Sequence, residues 1–298
     1  MDITYQDYLS SDIIKKISSI ALRAKLVVEG FIIGLHKSPY HGFSVEFSEH
    51  RPYSYGDEIK YVDWKLLAKT DKLYIKQFEE ETNLKSYILF DKSSSMKYGS
   101  KTITKFEYAK TLCASLSYLM IKQQDSVGLT TFDKKINISI PPKSKVSHLN
   151  ILFNALHSSE IKGETKISSI LHSLAESIKK RGLIILVSDL LDNPEDVING
   201  LRHFRYKGHE VIIFHIIDEK EFSFDFNEST KFIDLESNEV IQTDPRQIKS
   251  EYKKLFFEFC ENYRLKCRNN NVDYVQIKTN DTLDKTLIEY LIKRKKMS

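Results

Sequence analysis

The sequence predicts an α/β protein in which a mostly parallel β-sheet is flanked by helices. Residues 182–187 and 210–217 form largely apolar runs without alternation, as expected for strands that are buried on both faces. Amphipathic segments of helical periodicity separate the predicted strands, which is the arrangement of βαβ units in a parallel sheet. Few interruptions of helices and strands are expected, because the chain contains only 10 glycines and 6 prolines in 298 residues.

The predicted elements follow in a regular order along the chain. We expect strands at 86–90, 126–132, 136–140, 182–187, 210–217 and 272–277, and helices at 104–124, 146–157, 167–180, 194–206, 247–267 and 282–293. Pro141 and Pro142 should end the third strand, since proline cannot donate to a strand ladder. Short β-like segments fill 221–241. Upstream lie a helix at 12–35 and an aromatic-rich stretch with strand-like segments at 43–47 and 73–78. We therefore expect two domains, 1–83 and 84–298.

Composition bounds the class of protein. The 45 basic and 41 acidic residues are spread along the chain and leave a net charge of +4, so no nucleic-acid partner is predicted. The basic run 293–296 is interpreted as a solvated helix end. The cysteines are odd in number and include no Cys-x-x-Cys pair, which argues against a disulfide framework. No signal peptide or membrane-length apolar segment is present, and we expect a cytoplasmic protein without a transmembrane segment.

Polar residues follow two of the buried strands at the point where each strand ends. Asp91, Ser93 and Ser95 come directly after the strand at 86–90, and Asp189 follows the strand at 182–187. Thr165 lies in a loop before a predicted helix. Ligands of parallel α/β sheets bind outside the carboxyl ends of the strands, so these three loops are expected to converge there.

The residue types at this edge of the sheet suit a hard divalent cation. Carboxylate and hydroxyl oxygens are ligands for Mg²⁺, and Mn²⁺ or Ca²⁺ could take its place. Two carboxylates only neutralise a divalent ion, and hydroxyls add no charge. The ion would therefore retain affinity for one more anionic oxygen, which a carboxylate of a protein partner could supply. This donor set predicts a binding module rather than an enzyme.

These residues resemble a known site. In type and order, Asp91, Ser93, Ser95, Thr165 and Asp189 are similar to the metal-ion-dependent adhesion site of von Willebrand factor A domains, which have a Rossmann-like fold. Upstream, the sequence Glu-Phe-Ser-Glu-His-Arg-Pro-Tyr at 46–53, then Gly-Asp at 56–57 and Asp-Trp at 63–64, resembles the bacterial family called domain of unknown function 58. The resemblance covers about residues 20–295.

The resemblance implies a bacterial cytoplasmic protein. Relatives are often linked with MoxR-type AAA+ ATPases, for which they serve as adaptors, and some carry membrane helices. The chain departs from the family pattern in two places. Lys92 stands between the ligand candidates and is expected to point outward, and Gly163-Glu164-Thr165 replaces the usual Gly-Gly-Thr.

Other interpretations of these residues stay open. Asp91, Ser93 and Ser95 could cap a helix, and Thr165 could be a simple N-cap. The block of Arg51, Asp57, Asp63 and Trp64 is expected to form a buried ion-pair and packing network rather than a site, with the lone tryptophan in a core. The alternative function is a Mg²⁺-dependent hydrolase or phosphatase with Asp91 as nucleophile. Ser93 disfavours it, because such phosphatases want a second acid at that position for proton transfer.

Overall fold

The computed structural model describes residues 19–37, 50–54, 64–70, 72–76, 84–161, 163, 167–226, 230–235 and 239–297. In chain order its elements are α1 (Ile20–Lys37), β1 (His50–Pro52), α2 (Trp64–Thr70), β2 (Tyr74–Lys76), β3 (Lys85–Asp91), a 3₁₀ turn (Ser94–Lys97), α3 (Lys105–Lys122), β4 (Ser126–Phe132), β5 (Ile136–Lys143), α4 (Ser147–His157), α5 (Ile167–Ser177), β6 (Leu183–Ser188), α6 (Pro194–Tyr206), β7 (Glu210–Ile217), α7 (Glu219–Ser223), β8 (Thr230–Ile233), β9 (Val240–Thr243), α8 (Pro245–Asn269), β10 (Asp273–Lys278) and α9 (Leu283–Met297).

The main sheet has six strands in the order β10-β7-β6-β3-β4-β5. Neighbours from β10 to β4 pair in parallel, and only β5 is antiparallel, to β4. The mostly parallel sheet predicted from the apolar runs is therefore confirmed. β1 and β2 form a separate antiparallel pair, and so do β8 and β9.

Alternate residues of the central strands pack on opposite faces of the sheet. In β6, Leu183, Ile185 and Val187 join the core covered by α1, α3, α4 and α9. Ile184 and Leu186 join the core covered by α5, α6 and α8. A strand with helices on both faces has no solvent-facing side, which is why its sequence is apolar throughout.

The strand β5 does not end where the sequence predicted. It runs through Pro141 and Pro142 to Lys143. The strand lies at the edge of the sheet, and its register with β4 shifts between Val127 and Leu129, where the prolines sit opposite Gly128. A proline is tolerated in such an irregular edge ladder because its missing N–H removes no regular pairing bond.

The amino-terminal part of the chain agrees with prediction in part. The helix predicted at 12–35 is α1, described from Ile20, and its buried residues pack in the same core as α3. The expectation that Trp64 belongs to a core is wrong, since its side chain is 59% exposed at the start of α2. The strand predicted at 43–47, together with Asp57 and Asp63, lies outside the described residues.

Three further expectations have outcomes in the structure. The three cysteines are free, in line with the argument against a disulfide framework, and all three are buried. Lys293 is not solvated, because it is buried with its Nζ 2.6 Å from Glu210 and 2.8 Å from Asp273. Within the ranges that the structure describes, no helix has the length and apolar character that crossing a bilayer requires.

Candidate functional site

Asp91 and Ser188 meet at the carboxyl ends of two adjacent parallel strands. Phe90 of β3 lies opposite Val187 of β6, so the next residues along the two strands face each other. The Ser188 hydroxyl donates a hydrogen bond of 2.6 Å to Oδ2 of Asp91, and neither residue has any exposed surface. Strand register therefore places the first predicted ligand next to the segment that carries Asp189.

The loop after β3 turns its polar atoms back toward Asp91. The Ser93 backbone N–H donates to Oδ1 of Asp91 at 2.9 Å, and the hydroxyls of Ser93 and Ser95 are 2.9 Å apart. Ser93 precedes the 3₁₀ turn, but its side chain makes no capping bond. Helix capping therefore does not account for the position of the Ser93 hydroxyl. The loop brings Asp91, Ser93 and Ser95 together, as the predicted site requires.

The loop before α5 is joined to the same 3₁₀ turn. The carbonyl of Gly163 accepts hydrogen bonds from both the backbone N–H and the hydroxyl of Ser94, each at 2.9 Å. Gly163 has a φ of +78°, a conformation that favours glycine. Thr165, two residues farther on, lies outside the described residues, and its role as a ligand stays a prediction.

Asp189 is held by a lysine that the sequence analysis missed. Nζ of Lys105, in the first turn of α3, lies 2.8 Å from Oδ2 of Asp189 and 2.6 Å from Oε1 of Glu221. Lys105 is 1% exposed. Burial opposes its charge, but the carboxylates of Asp189 and Glu221 outweigh that effect and raise its pKa above the ordinary lysine value. Among the described residues, Oδ1 of Asp189 has only a long contact of 3.5 Å, from the N–H of Leu191.

A buried histidine fixes the backbone of Asp189. Nε2 of His215 lies 2.9 Å from the Asp189 carbonyl oxygen, and Nδ1 lies 2.6 Å from the hydroxyl of Tyr274. Because a carbonyl only accepts, Nε2 must carry the proton and Nδ1 must accept from Tyr274. Burial is the main cause that lowers the pKa of His215, to about 4, so the ring is neutral at pH 7.

Lys92 departs from expectation. Its side chain was predicted to point outward, but it is 8% exposed. Its Nζ donates to the carbonyl of Glu160 at 3.3 Å and lies 3.8 Å from Oδ2 of Asp133. The ammonium is therefore buried, with Asp133 as its charge partner.

The electrostatics of the site centre on Asp91. Burial, followed by the negative charge of Asp189, raises the pKa of Asp91 to about 7, while the hydrogen bonds from Ser188 and Ser93 oppose the rise. The structure gives Asp91 no basic partner among the described residues, whereas Asp189 has Lys105. A cation beside Asp91 would offset the cost of its buried charge.

The donor set fits a hard cation only if hydroxyls and water complete its shell. No group of three or more His, Cys, Asp or Glu side chains in the described part of the chain is placed to hold a metal ion. Asp91 and Asp189 would supply two carboxylates, and Ser93 and Ser95 two hydroxyls. Mg²⁺ usually retains several waters, so such a set is compatible with it.

Sequence signals existed for the residues that were missed. Lys105 stands in a first helical turn, where a positive charge opposes the helix dipole, so a special partner is expected. His215 interrupts an apolar strand, and an imidazole buried among aliphatic residues needs hydrogen-bond partners. Ser188 directly precedes Asp189 at the strand end. Asp218 and Glu221 have the spacing of a capping box, which marks the start of α7 but does not predict the contact between Glu221 and Lys105.

The solved structures that are similar to this chain include one described as a VWA domain. The conserved hypothetical protein BatB from Bacteroides thetaiotaomicron is 18% identical, with a TM-score of 0.46 over 72% of this chain and 100% of its own. An aerotolerance-related membrane protein from Bacteroides fragilis is 17% identical, with a TM-score of 0.49 over 70% and 99%. The SpRpn10 VWA domain is 14% identical, with a TM-score of 0.43 over 69% and 94%.

The relatives found by sequence similarity carry names that describe them as uncharacterized proteins. Proteins of Mycobacterium tuberculosis and Mycobacterium bovis are each 21% identical to this chain over 208 residues, which is 68% of the chain. The aligned region spans 64% of those relatives' own length. Residues 49–258 match the family described as "Protein of unknown function DUF58", so the chain belongs to that family.

Proposed function

We propose that this protein is a divalent-metal-dependent protein-binding module. Asp91, Ser93, Ser95 and Asp189, with Thr165 from the neighbouring loop, would hold Mg²⁺, or Mn²⁺ or Ca²⁺ in its place. A carboxylate of the partner would complete the coordination shell. The observation that carries the proposal is the fully buried carboxylate of Asp91, which has no basic partner among the described residues and lies beside two clustered hydroxyls.

The charges favour binding over hydrolysis. Lys105 already compensates part of the charge of Asp189, so an ion held here would keep a strong attraction for a further anionic oxygen. The alternative is a hydrolase with Asp91 as nucleophile. Both Asp91 oxygens accept hydrogen bonds, which weakens a carboxylate nucleophile, and its pKa of about 7 leaves part of the Asp91 population protonated and unable to attack at pH 7.

The partner class follows from the family resemblance. We propose a MoxR-type AAA+ ATPase as the protein that supplies the carboxylate, with this chain acting as its adaptor. We place the complex in the cytoplasm, since free buried cysteines fit a reducing compartment. The surface that surrounds the Ser93–Ser95 loop would form the contact.

Metal binding is tested first, without a partner. Mn²⁺ added to the wild-type chain should lose its free-ion electron paramagnetic resonance signal, and Mg²⁺ should compete. Asp91→Ala should abolish this binding, and Ser93→Ala should weaken it. Ser94→Ala is the matched control, because the Ser94 hydroxyl bonds to the Gly163 carbonyl and is not a proposed ligand. Equal Mn²⁺ binding by wild type and Asp91→Ala would disprove the metal site.

Partner binding is tested second, with a purified MoxR-type ATPase from the same organism. The complex should form in Mg²⁺, dissociate in chelator, and fail to form with Asp91→Ala. Circular dichroism should show that this variant keeps its fold. A complex that survives both chelator and Asp91→Ala would show that the ATPase contact does not use the metal.

A further inference from the structure

A large basic cavity lies at the end of the sheet opposite Asp91. It has a volume of ≈ 840 Å³ and opens beside the amino ends of β6, β7 and β10. We define the basic cavity by Arg181, Arg205, Arg264, Arg268 and Lys293, and two acids, Glu210 and Asp273, also line it. Five basic residues face two acidic ones here, although the whole chain carries a net charge of only +4.

The two acids of the cavity are already neutralised. Glu210 pairs with Arg205 and with Lys293, each at 2.6 Å, and Lys293 also lies 2.8 Å from Asp273. Arg264 pairs with Glu261. Arg181 and Arg268 have no acidic partner among the described residues, so the unbalanced positive charge of the cavity rests on these two guanidinium groups.

Arg181 is oriented by the backbone rather than by an acid. Its Nε donates to the carbonyl of Gly208 at 3.1 Å. Gly208 has a φ of +81°, and a Cβ at that position would lie 2.6 Å from the Arg181 Nε. Glycine therefore both permits the turn and leaves room for the guanidinium group, which has no acidic partner at the cavity wall within the described ranges.

We propose that the basic cavity binds a multiply charged phosphate chain, of the kind found in tripolyphosphate or a nucleoside triphosphate. Arginine presents a planar fork of donors that matches phosphate oxygens in pairs, and four of the five cations are arginines. The cavity volume of ≈ 840 Å³ is that of a small-molecule site, which are about 300–1,000 Å³, and this favours a small ligand over a macromolecule.

The aromatic ring of the cavity favours phosphate over a nucleobase as the recognised group. Arg264 lies over the Tyr274 ring, with its Cζ 6.0 Å from the ring centroid, and the Tyr274 hydroxyl bonds to His215. This face of the ring is therefore covered. Recognition would rest on the phosphate charges, and a nucleoside triphosphate should bind no more tightly than tripolyphosphate.

The test is isothermal titration of the full chain with tripolyphosphate, in chelator. Chelator prevents a metal ion at Asp91 from binding the same anion, and Asp91→Ala should bind tripolyphosphate as the wild type does. The double variant R181Q/R268Q should lose affinity by about tenfold or more for each arginine. Both side chains are exposed, so the variant should fold. The matched control is K253Q/K254Q, which removes two exposed charges from α8 outside the cavity.

Each outcome bears on the proposal. Saturable binding that R181Q/R268Q weakens and K253Q/K254Q does not would support it, as would competition by adenosine triphosphate at similar concentration. Absence of tripolyphosphate binding to the wild type would overturn it. So would equal weakening by the two double variants, which would indicate nonspecific surface charge. A single-stranded RNA that R181Q/R268Q binds more weakly than the wild type does, and that tripolyphosphate does not displace, would assign the cavity to a nucleic acid instead.

Discussion

The ammonium group of Lys105 lies 2.8 Å from a carboxylate oxygen of Asp189, at the site proposed for a divalent cation. Lys105 thus contacts one oxygen of the Asp189 carboxylate, which the metal would also contact. Since Lys105 is 1% exposed, its charge is part of the buried structure and is not a surface pair. The chain therefore carries its own cation on the Asp189 side, and a metal would have to take up Asp91 and the remaining oxygen of Asp189.

Replacing Lys105 by methionine should destabilise the protein and strengthen its response to metal. Removal of one partner of a buried ion pair costs about 3–5 kcal/mol, because Asp189 and Glu221 keep their charges without compensation. A divalent ion would restore part of that compensation. We expect the Mg²⁺-induced rise in melting temperature to be larger for Lys105→Met than for the wild type.

The control for this variant is Lys101→Met. Lys101 pairs with Glu219 on the surface, with the lysine side chain 61% exposed, so its loss should cost about 0–1 kcal/mol. Its Mg²⁺ response should equal that of the wild type. A Lys105→Met variant that gains nothing from Mg²⁺ would contradict the idea that lysine and metal share Asp189.

Replacing Asp91 by asparagine should stabilise the metal-free protein at high pH. The pKa of Asp91 rises from 3.8 to about 7 on folding. The folded state thus binds the proton more tightly, which favours folding below pH 3.8, and this contribution is lost as pH rises through 7. The loss is worth about 4 kcal/mol, and an uncharged asparagine side chain at this position would avoid it.

The measurement is the free energy of unfolding in urea at pH 4 and pH 8, with chelator. Asp91→Asn should be the more stable protein at pH 8 and should lose this advantage at pH 4. Saturating Mg²⁺ at pH 8 should stabilise the wild type but not the variant. A wild type that stays more stable than Asp91→Asn in chelator at pH 8 would show that the buried carboxylate carries no such cost.

Gly182→Ala should destabilise the start of β6 without altering the proposed metal site. A Cβ at residue 182 would lie 2.0 Å from the Lys85 carbonyl oxygen, so β3 and β6 would have to separate at their amino ends. Overpacking of this kind costs about 1–3 kcal/mol, and we expect at least that loss in urea unfolding. Gly163→Ala is the comparison, since no atom of the described residues lies within 4 Å of its added Cβ. It should cost only the strain of a positive φ, about 1–2 kcal/mol.

The sequence was sufficient where a pattern has one physical interpretation. Apolar runs bounded by helical periodicity predicted the parallel sheet, and strand ends followed by Asp91 and Asp189 predicted where polar groups would gather. The parallel register of β3 and β6 places Phe90 opposite Val187 and so brings the two segments side by side. Residue type and order thus predicted that Asp91, Ser93 and Ser95 lie together at this edge of the sheet, and their role as ligands stays a prediction.

The sequence was insufficient where tertiary partners decide. Lysine is ordinarily a surface residue, and no local pattern placed Lys92 in the interior. The first-turn position of Lys105 indicated a special partner, but it could not identify Asp189 and Glu221, which lie far away in the sequence. The prediction for Trp64 was wrong in the opposite sense, since this aromatic residue was expected in a core and is exposed. Such cases depend on which loops meet, and loop positions follow from the assembled fold.

The last prediction concerns His215 and acid stability. Its pKa falls from 6.5 to about 4 on folding because burial disfavours the imidazolium form. The unfolded chain therefore binds the proton more readily, and stability is lost as pH falls from 6.5 to about 4, by about 3 kcal/mol.

His215→Gln should be less stable than the wild type at pH 7, because it disturbs the bonds to Asp189 and Tyr274. The deficit should shrink as pH falls, since glutamine does not titrate. Urea unfolding of both proteins at pH 7.0, 5.5 and 4.5 measures this deficit directly. A deficit that is constant across those values would mean that the imidazole is protonated equally in the folded and unfolded chains.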